Sequence, residues 1–493
     1  MNNQENINNN NNHFRKIITN TSFLFGAEIY RKIIRVALVI FAARLLGDEG
    51  YGKFAFALAF VKLFLIFTDA GVHQLLIREL ARNKELVKKY TGNAVLIKIV
   101  LCIITCFVIF VIIHLSNKPQ DVVYTVYLLT LNQILISFSL IFESIFQAWQ
   151  RMKYVAFTNV ISATSVTLLG VGVLIVGGSY IELAMMYVIA SFLKLVYCIF
   201  ISNKHFVKIR IMFDFKIIKF ILKEGLPIGI NFFFATIYTL IDQVMLSFMY
   251  NDEVVGWYRA AYQFVFTMTL IPEQLLKAAF PVLSKYFVKS LADLKILFNR
   301  LLKFLLLAAL SLATFIFLFS KDLIRLLYGN EYINGANALQ ILVWSTAIIY
   351  INFIFANTTR ATNKQRFTAK VVMMGAVINV ILNFILIPKY NIIGAAVATL
   401  ITEVLIFTIH FIFLSKHIIR PPVLRYLPKV LLINGVMVLC VYILHGLDFF
   451  ILFFVSILVN LIMTFLCKYF TKNELNFFRN LLFKRNKNKA LLK

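Results

Sequence analysis

Fourteen apolar stretches of roughly 20 residues follow one another along this chain. They cover 17–43, 54–76, 92–115, 122–148, 155–177, 181–202, 226–249, 257–280, 303–320, 336–357, 367–387, 391–414, 428–446 and 449–467. Each is long enough to carry an α-helix through about 30 Å of hydrocarbon. Together they leave too little polar sequence to coat a soluble domain. The composition agrees: 61% of residues are hydrophobic and 15% charged, against roughly 45–50% and 25% in soluble domains. The expected fold is an all-α polytopic membrane protein of about 14 transmembrane helices.

A net charge of +28 raises the question of nucleic acid, and the placement of the charge answers it. Only six of the 50 Lys and Arg residues lie in the odd-numbered loops, while the amino terminus, the even-numbered loops and the carboxyl tail are rich in them. That alternation is the positive-inside pattern, which puts both termini in the cytoplasm and the even loops against anionic headgroups. No nucleic-acid partner is expected. The opening "MNNQENINNNNNH" is polar and of low complexity, and residues 1–16 read as a disordered cytoplasmic tail with no cleavable signal. The five cysteines sit singly or four apart within apolar runs, as small lipophilic side chains rather than metal ligands.

The chain also repeats itself. "GDEGYGKFAFALAF" (Gly47 to Phe60) returns 204 residues later as "NDEVVGWYRAAYQF" (Asn251 to Phe264), placing Asp48, Glu49 and Gly52 on Asp252, Glu253 and Gly256. The same offset carries Asp69 onto Glu273. A second echo sets "AWQRMKYVA" (Ala148 to Ala156) on "ATNKQRFTA" (Ala361 to Ala369). Two six-helix lobes follow, 17–202 and 226–414, related by a pseudo-two-fold along the membrane normal. A basic linker at 203–225 joins them; two extra C-terminal helices (415–470) and a basic cytoplasmic tail (471–493) complete the chain.

Three stretches carry a family resemblance: "ARLLGDEGYGKFAFALAF" with "DAG" and "IRELAR" behind it, "LPIGINFFFATIYTLIDQVML" followed by "DEVVGWYRAAY", and "PKYNIIGAAVATLITE". In order and spacing the chain resembles the polysaccharide exporter branch of the multidrug/oligosaccharidyl-lipid/polysaccharide (MOP) superfamily. That resemblance implies a flippase, not an enzyme. Its substrate is an undecaprenyl-diphosphate-linked sugar repeat unit of O-antigen or capsule type, moved from the inner to the outer leaflet of the bacterial cytoplasmic membrane by alternating access. Polysaccharide polymerase and chain-length proteins are its expected partners, besides the lipid-linked substrate and membrane lipids. A monomer is expected, because one chain holds both lobes.

Charges inside the spans are the residues most open to a functional reading, since each costs roughly 2.5–3.5 kcal/mol on insertion scales. Such groups face a wet cavity, pair internally or snorkel from a span end. Glu28, Arg31, Lys32 and Arg35 recur on one face of the first span. A cationic stripe suits a diphosphate, because guanidinium grips phosphate oxygens with paired hydrogen bonds. With Lys62 and Arg259, these basic residues are the candidate substrate-binding set: Arg31, Arg35, Lys32, Lys62 and Arg259. Asp69, Asp242, Glu273 and Glu28 are the candidate ion-coupling acids; Asp69 precedes Gly71 and Glu273 follows Pro272, where helical bonding loosens. No cofactor is expected beyond a transported Na⁺ or H⁺.

No Walker loop, dinucleotide fingerprint, HExxH or GxSxG occurs. A drug/cation antiporter calls for an acidic or neutral cavity, a peptidoglycan-precursor flippase for a cationic one, and a membrane glycosyltransferase for large outer loops bearing catalytic carboxylates.

Overall fold

At Gly47 the first long helix turns a corner without ending: its φ of 69° lies in the left-handed region, yet helical hydrogen bonding continues on both sides. The "GDEGYG" stretch, expected as a turn between two spans, holds the non-helical residue at which two helical limbs meet. Asn391, at φ 53°, makes the equivalent bend late in the chain. In this computed structural model, residues 2–471, 474 and 476 are described, residues 2–25 by backbone alone. The expected tail at 1–16 thus has no described side chains, and most of the tail at 471–493 lies outside the described residues.

The helices are α1 (Asn2–Leu63), α2 (Leu65–Asp69), α3 (Val72–Arg82), α4 (Val87–Leu115), α5 (Gln120–Ala148), α6 (Met152–Ile175), α7 (Tyr180–His205), α8 (Phe215–Met249), α9 (Asp252–Met268), α10 (Leu270–Lys289), α11 (Leu291–Leu318), α12 (Ser320–Tyr328), α13 (Gly335–Ala361), α14 (Gln365–His417), α15 (Val423–Ile443) and α16 (Phe449–Leu466). No strand occurs among the described residues. Among the described residues ten helices are individually long and apolar enough to cross a bilayer, and a bent pair, Gly26–Leu63 with Leu65–Arg82, meets the same length and composition as one broken span. The count rises because α1 and α14 are each two helices merged across a kink.

The described chain forms two compact units. One holds everything up to Ala260 together with Leu327–Gly335 and Val372–Ala395; the other holds Ala261–Leu326, Ala336–Val371 and the chain from Ala396. The first unit contains an apolar core in which Val72, Leu75, Leu76 and Leu80 of α3 meet Ile141, Ile145 and Phe146 of α5, Cys198 and Ile201 of α7, and Ile221 of α8. The α3 residues recur at the three- and four-residue spacing of one helix face, with Arg78 and Arg82 on the other. The start of α8 docks onto this core, which is why packing divides the chain later than the repeat does.

Between α2 and α3 the crossing breaks. Ala70 (φ 47°) and Gly71 (φ 76°) are both left-handed, and α8 lies so close that a Cβ on Gly71 would stand 2.2 Å from the Gly225 carbonyl oxygen. In lipid, where apolar contact alone gives helices little reason to associate, such close backbone approach supplies the packing. A polar network holds the broken end. Lys98, fully buried, donates to Asp69 Oδ1 at 2.5 Å and to Ser137 Oγ at 2.8 Å, and Ser137 donates to the Thr68 carbonyl at 2.7 Å. The freed carbonyl thereby finds the partner that lipid cannot offer.

The second unit has a clasp of its own. Lys303 of α11 reaches Glu474 at 2.8 Å and stands over the rings of Tyr469 and Phe470, 5.1 and 5.5 Å from their centroids. The Tyr469 hydroxyl donates to the Lys303 carbonyl at 3.1 Å. Burial raises the Glu474 carboxyl, but hydrogen bonds from Lys303 and Thr471 outweigh it, and the group ends below its ordinary range.

Candidate functional site: a cationic intramembrane cavity

Inside the first unit, α1, α5, α6 and α7 enclose a cavity of about 200 Å³. Four cationic side chains line it: Arg31 and Arg35 from the first limb of α1, Lys62 from the end of its second limb, and Lys194 from α7. The kink at Gly47 sends the two limbs of α1 past the same space. No carboxylate lines the cavity among the described residues. The remaining polar wall is neutral and includes Asn132 and Gln133 of α5 and Asn159 and Ser162 of α6.

The four cations fall into two kinds. Arg31 is held by Glu28 in a fork, Nη2 to Oε1 at 2.6 Å and Nε to Oε2 at 3.1 Å. Lys194 is held by Glu143 at 2.8 Å, and Thr158 donates to the same carboxylate. Arg35 and Lys62 have no carboxylate at ion-pair distance among the described residues, and both retain exposed surface. Arg259, on α9 within the same unit, hydrogen-bonds Tyr51 and acts electrostatically on Arg35 and Lys62 without lining the cavity. This corner of the membrane interior therefore concentrates positive charge that internal acids do not cancel.

Of the sequence-derived binding set, Arg31, Arg35 and Lys62 meet on one cavity and Arg259 stands near it. Lys32 is buried and outside the lining. Lys194 belongs to the site but was not placed there from sequence, because its partner Glu143 is 51 residues away. Asn159 and Ser162 left no signal either, being ordinary polar residues in an apolar run.

The candidate acids go to separate places. Glu28 serves Arg31 and Asp69 serves Lys98. Glu273 pairs with Lys277 one turn along α10 at 2.7 Å. Asp242 is buried in α8, where Tyr258 donates to its Oδ2 at 2.6 Å and Asn383 to its Oδ1 at 2.5 Å. Asn379 accepts from Asn383 at 3.1 Å, and Asn383 Oδ1, Asn379 Nδ2 and Gln243 Nε2 are buried without hydrogen-bond partners. A carboxylate beside amide oxygens is the donor chemistry of a hard cation such as Na⁺.

Residues 17–287 match the family described as "Polysaccharide biosynthesis protein", and residues 227–385 match the MatE family. A putative O-antigen transporter of Shigella flexneri is 23% identical over 78% of this chain and 93% of its own length. A probable low-salt glycan biosynthesis flippase, Agl15, of Haloferax volcanii is 22% identical over 80% of this chain and 83% of its own. Among solved structures, the lipid II flippase MurJ in an inward closed conformation superposes with a TM-score of 0.75 at 18% identity, covering 93% of this chain and 99% of that one. The chain belongs to the polysaccharide biosynthesis protein family of the MOP superfamily. It is a multi-pass membrane transporter and not an enzyme.

Proposed function

We propose that the protein is a flippase that carries an undecaprenyl-diphosphate-linked oligosaccharide repeat unit from the cytoplasmic to the outer leaflet of a bacterial cytoplasmic membrane. Both termini lie in the cytoplasm, and two six-helix lobes alternate access to the cavity. The observation that carries this reading is the pair Arg35 and Lys62, uncompensated cations lining a cavity at membrane depth. A diphosphate supplies the missing negative charge, and guanidinium meets it with two parallel bonds. The neutral wall of Asn132, Gln133, Asn159 and Ser162 offers donors and acceptors to sugar hydroxyls. The relatives named for O-antigen and glycan transport support the same substrate class.

A drug/cation antiporter is disfavoured because no carboxylate lines the cavity among the described residues. A peptidoglycan-precursor flippase shares the cationic requirement, and the fold of MurJ is the specific observation in its favour. Flipping in proteoliposomes separates the two: the protein should translocate an O-antigen or capsule lipid-linked repeat unit and leave lipid II where it is. The reverse preference overturns the assignment. Coupling to Na⁺ or H⁺ rests on Asp242 and its two asparagines; rates insensitive to imposed Na⁺ and pH gradients would remove the antiport component.

A further inference from the structure

The repeated "DExxG" motif packs against its own copy. A Cβ on Gly52 would lie 1.7 Å from the Asp252 carbonyl oxygen, and a Cβ on Gly256 would lie 2.3 Å from the Asp48 carbonyl oxygen. Each glycine of one copy thus rests on the backbone of the aspartate of the other. This reciprocity is that of a two-fold interface, here within one chain. Only hydrogen fits at either position, so α1 and α9 touch backbone to backbone.

Side chains brace the contact. Trp257 Nε1 donates to Asp48 Oδ2 at 2.8 Å. Asp252 Oδ1 accepts from Ser247 Oγ at 2.8 Å and lies 3.4 Å from Lys118 Nζ, which also donates to the Ser247 carbonyl. Tyr332 donates to the carbonyls of Ala43 and Gly47 at 2.8 and 2.7 Å, fixing the kink from which Asp48 projects. Gly47 to Gly52 stands on the face that the Lys and Arg distribution assigns to the outside.

We propose that Gly52 and Gly256, with Asp48, Asp252 and Trp257, form a self-complementary seal over the outer end of the translocation path. The seal must part for the lipid-linked sugar to leave, an inference that rests on the flippase reading. Backbone packing and hydrogen bonds hold the contact. It therefore opens by sliding two helix starts apart, and bulk at either glycine penalises the shut state alone.

The test uses the full chain with Cys102, Cys106, Cys198, Cys440 and Cys467 replaced by serine and a single reporter, Ser162→Cys, in the cavity wall. Labelling by a membrane-impermeant maleimide added from outside is measured without substrate. Gly52→Ala and Gly256→Ala each penalise the closed contact by overpacking, and labelling should accelerate about 5- to 150-fold. Trp257→Phe adds no bulk and removes one bond, and should give a smaller acceleration in the same direction. If either glycine variant misfolds, the Trp257 variant decides. Labelling at the parental rate in Trp257→Phe and in every folded glycine variant overturns the seal. Because labelling requires no glycan, the accessibility result stands by itself, and flipping is measured on the protein with Ser162 intact, whose failure to move the lipid-linked sugar counts against the function alone.

Discussion

Replacing Arg35 with glutamine tests the electrostatic basis of the site. The substitution keeps a polar side chain of similar reach and removes one charge from a cavity whose other uncompensated cation is Lys62. At an effective dielectric near 20, a unit charge in contact with a phosphate oxygen at about 4 Å contributes roughly 4 kcal/mol before desolvation. Truncating one member of a buried, hydrogen-bonded charge pair usually loses about 2–5 kcal/mol. Arg259 and Lys62 both act on the same space and retain part of the attraction, so the low end applies. Affinity for a prenyl diphosphate should fall by about 2–3 kcal/mol, or roughly 30- to 150-fold. Arg35→Lys keeps the charge without the planar fork and should recover only part of the loss. The measurement is titration of farnesyl diphosphate into detergent-purified protein at fixed salt, with the unfolding temperature as a control on folding. Binding of Arg35→Gln within twofold of the parent, at an unchanged unfolding temperature, would refute the assignment of the cavity to a diphosphate.

Four further outcomes follow from the geometry. Glu28→Gln releases Arg31 from its fork and should tighten farnesyl diphosphate binding several-fold, the opposite sign to Arg35→Gln; weaker binding counts against Arg31 as a ligand. Asp242→Asn keeps hydrogen-bonding capacity toward Tyr258 but removes the charge, so flipping should persist while its response to Na⁺ or pH gradients disappears. Gly71→Ala meets both a left-handed backbone and the Gly225 carbonyl, and should destabilise the protein by about 3 kcal/mol in thermal unfolding. Glu474 has its folded-state acidity strengthened, so its contribution is present above the unfolded carboxyl range near pH 4 and is lost as pH falls through the lower folded value. The stability difference between Glu474→Gln and the parent should therefore shrink on acidification from pH 6 towards pH 3; a difference that grows would reverse the sign.

The spans were legible because lipid leaves the backbone so few options. Arg31 and Arg35 could be read together, since four residues along a helix is one face. Lys62 joined them on its position in mid-span alone. What sequence could not supply was pairing across helices: Asp69 with Lys98, Glu143 with Lys194, and Asp242 with Asn383 are separated by 29, 51 and 141 residues. Lys194 and Glu403 illustrate the cost of that gap. Lys194 is held by Glu143 within the first unit, and Glu403 accepts from Asn352 within the second. The glycines of "GDEGYG" announced a bend, and the backbone places it at Gly47.

The two unneutralised cations of the cavity have a consequence for the transporter at rest. Like charges held side by side repel, so the site is more stable with an anion in it than without one. Any phosphate-bearing lipid within reach relieves that repulsion, and the resting protein in a cell should seldom stand empty. Cargo then enters by displacing a lodger, and its apparent affinity depends on which phospholipids surround the protein as well as on the sugar it brings.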